Sequence, residues 1–278
     1  MRCDEWMVNN MTWVHRYLSH LQIPLREPSL VYLKQLLKAH RHVFPFENVS
    51  KLHWDKYAKN RLIRVEDFLN RFESFQTGGT CFTLNIQFAR LLKAVGFRVQ
   101  YILPGGDHLA LLVTLNEEKN LWYVDAGTPT PMLAPVSLTN GEKQTPIFAG
   151  ERVIVKKTSG NGRYEYVRSI GGRQVSKPLP FQINVRNTLD DLIDPIKASF
   201  ETNAPYMTQL RIDKWCNNRQ IMISLKNDRL TLRNRNGGKT ERQIKSLADL
   251  QEVMQNVFYL RKLPVNRVVE SLHHLQIR

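Results

Sequence analysis

Cysteine, long apolar runs and acidic residues are all scarce in this chain of 278 residues, and each scarcity narrows the class of protein. The three cysteines, Cys3, Cys81 and Cys216, are scattered and odd in number, which argues against a secreted disulfide framework. No run approaches the roughly 20 apolar residues that a membrane-spanning helix needs. The N-terminus has Asp4 and Glu5 where a signal peptide would be basic and then apolar. We therefore expect a cytoplasmic protein without membrane contact, in which Cys3 and Cys216 are structural.

The shortage of acidic residues leaves the chain strongly basic. It has 40 Lys and Arg against 25 Asp and Glu, a formal net charge of +15 at pH 7. A basic surface attracts polyanions of several kinds, among them nucleic acid, anionic lipid and phosphorylated small molecules. The basic residues are spread along the chain, with some enrichment after Arg211 and no long basic tail. The charge alone therefore does not choose a partner.

The first 96 residues are predicted to be helical. Apolar residues recur at helical spacing in residues 11–21, 29–43, 65–72 and 81–95. The second segment should end before Phe44, because Pro45 follows and the residue that precedes a proline is pushed out of helical geometry. Thr80 is the expected N-cap of the fourth helix, and Gly96 is its expected left-handed stop.

After Gly96 the pattern changes to strands, and a third, mixed region begins near Asp190. The predicted strands cover residues 97–103, 108–115 and 121–125, and hairpins join 152–157 to 163–170 and 221–225 to 229–233. A capping box at Ser246 and Asp249 predicts an amphipathic helix up to Phe258. We therefore predict an α+β fold with a helical region at 1–96, an antiparallel sheet or small barrel at 97–189 and an α/β region at 190–278.

Cys81 is the candidate nucleophile. It follows two glycines and begins a predicted helix, where unpaired backbone N–H groups and the helix dipole stabilise negative charge. Such positions favour the reactive thiolate form of cysteine. The alternative is a small, inert residue of the hydrophobic core, which is a common role for free cysteine.

His108 and Asp125 are the candidate partners of Cys81. His108 begins one apolar strand, and Asp125 ends the next one. If these strands are neighbours in a hairpin, an imidazole and a carboxylate come within hydrogen-bonding reach. A Cys–His–Asp arrangement lets the imidazole take the thiol proton while the carboxylate orients the ring. A core-edge histidine and an aspartate that starts a turn are the plainer alternatives.

Four motifs in one order make the chain resemble the arylamine N-acetyltransferase family. Thr77-Gly-Gly-Thr-Cys-Phe-Thr-Leu-Asn85 is similar to the family motif Arg-Gly-Gly-x-Cys-x-Glu-x-Asn, and Pro45-Phe-Glu-Asn-Val49 is similar to its Pro-Phe-Glu-Asn-Leu block. The strand at 108–113 resembles the family's histidine strand, and residues 123–127 resemble its aspartate strand. Residues 203–258 are also similar, so the resemblance covers nearly the whole chain.

The resemblance implies a helical bundle, a β-barrel and an α/β lid around a cysteine-protease-like core. It also implies that Cys81, His108 and Asp125 form a catalytic triad. Cys81 would take an acetyl or other acyl group from an acyl-CoA co-substrate and pass it to an arylamine, hydrazine or hydroxylamine. No tightly bound cofactor is expected, and no phosphate-binding loop can be named for CoA.

Three positions depart from the family pattern. Thr77 and Thr83 replace an arginine and a glutamate that help to brace the family's site, and their joint loss is expected if those two residues are partners. Residues 128–131, Thr-Pro-Thr-Pro, stand where the family has an aromatic residue near its acceptor pocket. We expect a looser site and a different amine or acyl preference.

Several other functions stay open. An amide synthase, an acyl-thioester hydrolase or a catalytically weakened homologue would keep the same fold. Nucleic-acid binding is the alternative from another class, although no binding motif accompanies the basic residues concerned. These are Arg229, Arg233, Arg235, Lys239 and Arg242. We expect no metal, because His40, His42, His273 and His274 lack ligand spacing with nearby cysteines.

Overall fold

The computed structural model describes residues 3–54, 62–115, 120–139, 143–216, 221–270 and 272. The helices are α1 (Cys3–Leu21), α2 (Leu30–Val43), α3 (Val49–His53), α4 (Val65–Phe75), α5 (Cys81–Ala94), α6 (Ile193–Ala198), α7 (Leu247–Asn256) and α8 (Asn266–Val269). The strands are β1 (Phe46–Glu47), β2 (Arg98–Ile102), β3 (Ala110–Thr114), β4 (Leu121–Val124), β5 (Val136–Ser137), β6 (Lys143–Gln144), β7 (Glu151–Lys157), β8 (Arg163–Ile170), β9 (Arg173–Gln174), β10 (Leu179–Gln182), β11 (Arg211–Cys216), β12 (Ile221–Lys226), β13 (Arg229–Asn234) and β14 (Lys239–Gln243).

The helices of the first region begin and end where their sequence signals predict. The Ser29 hydroxyl caps α2 by accepting a hydrogen bond from the Tyr32 N–H, and α2 ends at Val43, ahead of Phe44 and Pro45. Gly96 follows α5 with a φ of 95°, as predicted. Thr80 occupies the N-cap position of α5, as predicted, although its side chain makes no capping hydrogen bond.

The predicted β-barrel is wrong in one respect, because the central strands form open sheets. One sheet has the order β2-β3-β4-β5, and the other has the order β10-β8-β7-β6 with β9 beside β8. β5 contains only two residues and follows Pro129, Pro131 and Pro135. Since proline has no backbone N–H to give to a ladder, the chain leaves the first sheet here without closing a barrel.

Both predicted hairpins are confirmed. β7 pairs with β8, and β12 pairs with β13 through the two residues that separate Lys226 from Arg229. β12 belongs to a sheet of order β1-β11-β12-β13-β14, whose first strand comes from the helical region. Phe46 of β1 also bridges Gly79, so this sheet is tied directly to the loop before Cys81.

One hydrophobic core joins the helices to the central sheets. It runs from Val14 in α1 to Ile196 in α6 and crosses residue 96 without a break. A second core lies between the C-terminal sheet, α3, α7 and α8. The region boundaries at 96 and 189 remain a prediction. In the described part of the chain, no helix is long and apolar enough to span a bilayer.

Candidate active site

A tight loop delivers Cys81 to the first position of α5. The carboxylate of Glu47 is fully buried and accepts the N–H of Gly78 at 3.0 Å and that of Ser50 at 2.8 Å. Gly78 is required because a Cβ there would lie 1.9 Å from the carbonyl oxygen of Pro45. The thiol that follows is 7% exposed. Close backbone packing, and not only the helix start, therefore sets its position.

The structure brings the three predicted residues together. His108 Nε2 lies 2.7 Å from Oδ2 of Asp125, and Cys81 is near enough to the imidazole to help raise the pKa of His108. Because Nε2 is used by the carboxylate, Nδ1 is the ring nitrogen left for the thiol. The Asp125 side chain is fully buried, while that of His108 is 17% exposed. The imidazole thus stands between a buried acid and a thiol at the edge of the core.

Asn85 completes the arrangement, and sequence reasoning gave it no role. Its Nδ2 donates to Oδ1 of Asp125 at 2.9 Å and to the carbonyl of Leu109 at 2.7 Å, and its Oδ1 accepts the N–H of Ala126 at 2.8 Å. Asn85 lies four residues after Cys81, one helical turn away on the same face of α5. That spacing inside the quoted motif was the available signal.

The residue after Ala126 has no room for a side chain. A Cβ on Gly127 would lie 2.7 Å from Asn85 Nδ2 and 2.8 Å from the Cα of Cys81. The Gly127 N–H also donates to Oδ1 of Asp125 at 3.0 Å. The segment that carries the acid is therefore packed directly against the helix that carries the thiol.

The electrostatics favour a charged pair beside the thiol. Burial opposes charge on His108, but the charge and hydrogen bond of Asp125, together with Cys81, raise the pKa of His108 well above 6.5. Burial also opposes charge on Asp125, but His108, Asn85 and Arg41 hold the pKa of Asp125 below its usual value. A protonated imidazole held by a carboxylate is the state that can accompany a cysteine thiolate.

Comparison with known proteins places this site in a family. A family model described as N-acetyltransferase matches residues 29–264. The arylamine N-acetyltransferase / N-hydroxyarylamine O-acetyltransferase of Salmonella typhimurium is 30% identical over 128 residues, which are 42% of this chain. The chain belongs to the arylamine N-acetyltransferase family. The match to the Salmonella relative spans less than half, 43%, of that protein's length.

Solved structures of the family share the fold. The arylamine N-acetyltransferase of Salmonella typhimurium superposes with a TM-score of 0.73 at 20% identity, covering 90% of this chain and 91% of that one. The Mycobacterium marinum enzyme in complex with CoA gives 0.74 at 19% identity, with 92% and 94% covered. The Mycobacterium abscessus enzyme gives 0.77 at 17% identity, with 95% of each chain covered.

The positions that depart from the family pattern have local explanations. Thr77 is buried next to Gly78, which is held by Glu47, and the Cβ of Thr83 packs against Gly79. The loop before Cys81 is thus braced by a buried carboxylate on backbone N–H groups. This contact comes from Glu47, whose bracing role was not foreseen in the sequence.

Hydrogen-bonded hydroxyl groups lie in the segment 128–131, the third place where the chain departs from the family pattern. Thr128 Oγ1 lies 2.8 Å from Thr130 Oγ1, which lies 2.8 Å from the hydroxyl of Tyr166. The Tyr166 ring is 6.4 Å from the imidazole of His108, measured between ring centroids. All three hydroxyl side chains are buried. The wall beside the imidazole is therefore partly polar.

The residues considered for nucleic-acid binding are largely paired with acids. Arg233 lies 3.1 Å from Glu151, and Arg242 lies 2.6 Å from Asp249. Lys239 lies 2.8 Å from Glu241. No group of three His, Cys, Asp or Glu side chains converges as a metal site within the described residues. His273, His274 and the side chain of Cys3 lie outside them.

Proposed function

We propose that this chain is an acyltransferase that moves an acetyl or other acyl group from acyl-CoA, through a thioester on Cys81, to the nitrogen of an arylamine, hydrazine or hydroxylamine. The observation that carries the proposal is the contact chain from Cys81 to His108 to the buried carboxylate of Asp125, with 2.7 Å between His108 Nε2 and Asp125 Oδ2. A thiol, an imidazole and an orienting acid in this order are the machinery of nucleophilic acyl transfer.

In the first step, the Cys81 thiolate attacks the carbonyl carbon of the acyl-CoA thioester. The new sulfur–carbon bond forms, the bond to the CoA sulfur breaks, and the His108 imidazolium gives its proton to the departing CoA thiolate. One thioester replaces another, so the exchange is close to balanced in free energy. Backbone N–H groups in the first turn of a helix lack intrahelical acceptors and suit the transient oxyanion.

In the second step, the amine nitrogen attacks the acyl carbon held on Cys81. His108, now neutral, takes the proton from the nitrogen as a general base. The carbon–sulfur bond breaks and the Cys81 thiolate leaves, which restores the starting ion pair. Asp125 holds the ring in one tautomer and balances its charge in both steps.

The donor and the compartment are part of the same proposal. The net charge of +15 suits the phosphates of CoA, and CoA acts here as a co-substrate instead of a resident cofactor. The M. marinum relative was solved in complex with CoA. Cys81 and Cys216 are free thiols, which suits a reducing compartment, and we expect the reaction to take place in the cytoplasm.

Intact-protein mass spectrometry after incubation with acetyl-CoA tests the proposal. We expect an acetyl adduct on the parent chain and none on Cys81→Ser, with Cys216→Ser as the matched control that still acquires the adduct. Addition of an arylamine or hydrazine should then remove the adduct and release the N-acetyl product. The absence of an adduct across a series of acyl-CoAs would contradict the proposal.

The same experiment separates the alternatives on this fold. If the adduct decays in buffer as fast as with amine, and acyl-CoA is consumed without any acceptor, the chain is a hydrolase. If acetyl-CoA gives no adduct but a longer acyl thioester does, the preferred acyl donor is not acetyl-CoA, while the assignment of Cys81 as the nucleophile is kept.

A further inference from the structure

Arg41 lies beneath the site, although nothing in its sequence context marks it. It belongs to the last turn of α2, and its side chain is buried. Its Nη2 donates to the carbonyl oxygen of Thr130 at 2.6 Å, and its Nη1 donates to that of Asp125 at 3.4 Å. One guanidinium therefore contacts both ends of the segment 125–130, the segment that presents the acid and packs against Cys81.

The positive charge of Arg41 meets no carboxylate in direct contact among the described residues. Its Nε is buried without a hydrogen-bond partner, and the guanidinium carbon lies 6.0 Å from the ring centre of Trp215. Burial lowers the pKa of Arg41 to about 10, and the negative charge of Asp125 acts in the opposite sense. The group is therefore charged at neutral pH, in a place where an uncompensated cation is costly.

The other acids near Arg41 already have guanidinium partners. Glu151 contacts Arg168 at 2.6 Å and Arg233 at 3.1 Å, and Asp213 accepts a hydrogen bond from Arg211 Nη2 at 2.8 Å. The groups that face Asp125 and His108 from the packed elements are Cys81 and Asn85 of α5, Tyr123 of β4, Tyr166 of β8 and Arg41 of α2. Among these groups, Arg41 carries a positive charge, as His108 does when it is protonated.

We propose that Arg41 is a positioning residue for acyl transfer: its two donors hold the segment 125–130 against α5, and so fix Asp125 behind His108. This inference rests on the function proposed above. It assigns a role in the reaction to a residue that touches neither the thiol nor the imidazole. If the Arg41 side chain had only a structural role, its loss would lower the stability of the fold and leave the acylation chemistry of the folded protein unchanged.

The test compares Arg41→Met, which keeps the length and removes the charge, with Arg41→Lys, which keeps the charge and removes the forked donors. The rate of Cys81 acylation by acetyl-CoA is measured against pH in single-turnover reactions. We expect Arg41→Met to acylate about 100-fold more slowly, the loss that a misplacement of about 1 Å can cause. The acidic limb of its pH–rate profile, the part where the rate falls as the pH is lowered, should also move to higher pH, because the loss of a nearby cation raises the pKa of Asp125.

Arg41→Lys should be slower than the parent while its acidic limb stays at the parental pH. Lys214→Met is the matched control, since Lys214 is a partly buried cation of β11 whose Nζ donates to the carbonyl of Phe258, and it should leave both rate and limb unchanged. NMR titration of His108, which needs no turnover, should show a shifted imidazole pKa in Arg41→Met, because the charge and hydrogen bond of Asp125 raise that pKa and Arg41 acts on Asp125.

The outcomes separate this inference from the proposed function. If the parent acquires no acyl group at all, the proposed function fails, and the NMR titration still decides whether Arg41 acts on the pair. A parental rate, acidic limb and His108 titration in folded Arg41→Met would overturn the inference. If Arg41→Met does not fold, a parental rate in Arg41→Lys would overturn it as well.

Discussion

The two faces of α5 differ in how tightly they are occupied. Cys81 and Asn85 face the segment that follows β4, where Asn85 alone makes three hydrogen bonds. Another face of α5 lines a small cavity of about 40 Å³. Its members on α5 are Phe82, Thr83, Ile86 and Gln87, and the cavity is closed by Lys51, Leu62, Ile63, Thr80, Ile196, Ser199 and Phe200.

The polar contacts on the face of Cys81 hold the reacting groups, whereas the cavity face is mainly apolar apart from Thr83 and from Gln87, whose Nε2 donates to the carbonyl oxygen of Ile63. On the face of Cys81, every polar atom of Asn85 has a partner and Gly127 leaves no space, so a change displaces reacting groups. On the cavity face, a space of about 40 Å³ remains, which can take part of the volume of a larger side chain. Thr83, the departure from the family glutamate, belongs to this second face.

The largest expected effect on the acylation rate comes from removal of the negative charge of Asp125. Asp125→Asn keeps the size of the side chain but cannot balance an imidazolium or select the tautomer of His108. We expect acylation by acetyl-CoA to slow by about 10⁴-fold, the size of this effect in other triads. The matched change Asp249→Asn removes an ion-paired carboxylate of α7 and should leave the rate unchanged. A loss below tenfold in Asp125→Asn would contradict the role assigned to Asp125.

The next effect tests the close packing between Gly127 and α5. Gly127→Ala places a Cβ 2.8 Å from the Cα of Cys81, which is backbone and cannot move aside. We expect a loss of about 1–3 kcal/mol in the free energy of unfolding and slower acylation. The control is Gly238→Ala, whose Cβ would meet the side chain of exposed Asn234 at 2.6 Å. The Asn234 side chain can move, but at the expense of the hydrogen bonds that its Oδ1 accepts from the N–H groups of Asn236 and Gly238, so urea denaturation should detect a smaller loss there than in Gly127→Ala.

The smallest effect compares the two faces directly. Leu84→Phe enlarges a side chain that is 1% exposed in the packed core and should cost about 1–3 kcal/mol of unfolding free energy. Ile86 is 3% exposed in the same core but lines the cavity, so Ile86→Phe should cost less than Leu84→Phe because part of the added volume enters that space. Equal losses for the two variants in urea denaturation would show that the cavity face is as constrained as the other.

Much of the local structure could be predicted because its causes are local. The end of α2 follows from Pro45, the end of α5 follows from Gly96, and both hairpins follow from short polar turns between alternating strands. The juxtaposition of His108 and Asp125 was also within reach, since adjacent antiparallel strands bring their ends together. The closed barrel was wrong because the prolines at 129, 131 and 135 keep the segment before β5 out of the ladder and leave β5 only two residues long.

The residues that sequence reasoning missed share one property. Asn85, Glu47 and Arg41 act on the site through backbone groups that are distant in sequence: Asn85 on Leu109 and Ala126, Glu47 on Gly78, and Arg41 on Asp125 and Thr130. A carbonyl or N–H group is present at every residue, so the sequence pattern carries no sign of which one a side chain will meet.

The helix that begins at Cys81, the strands that carry His108 and Asp125, and the family to which their motifs belong can be read from the amino-acid sequence alone, because periodicity, turn residues and motif order are local features. The three-dimensional packing was needed to bring the imidazole within 2.7 Å of the acid, to leave the central sheets open, and to place a buried arginine of α2 against the segment that carries the acid. Those contacts join residues as far apart as 41 and 130, and packing alone sets such distances.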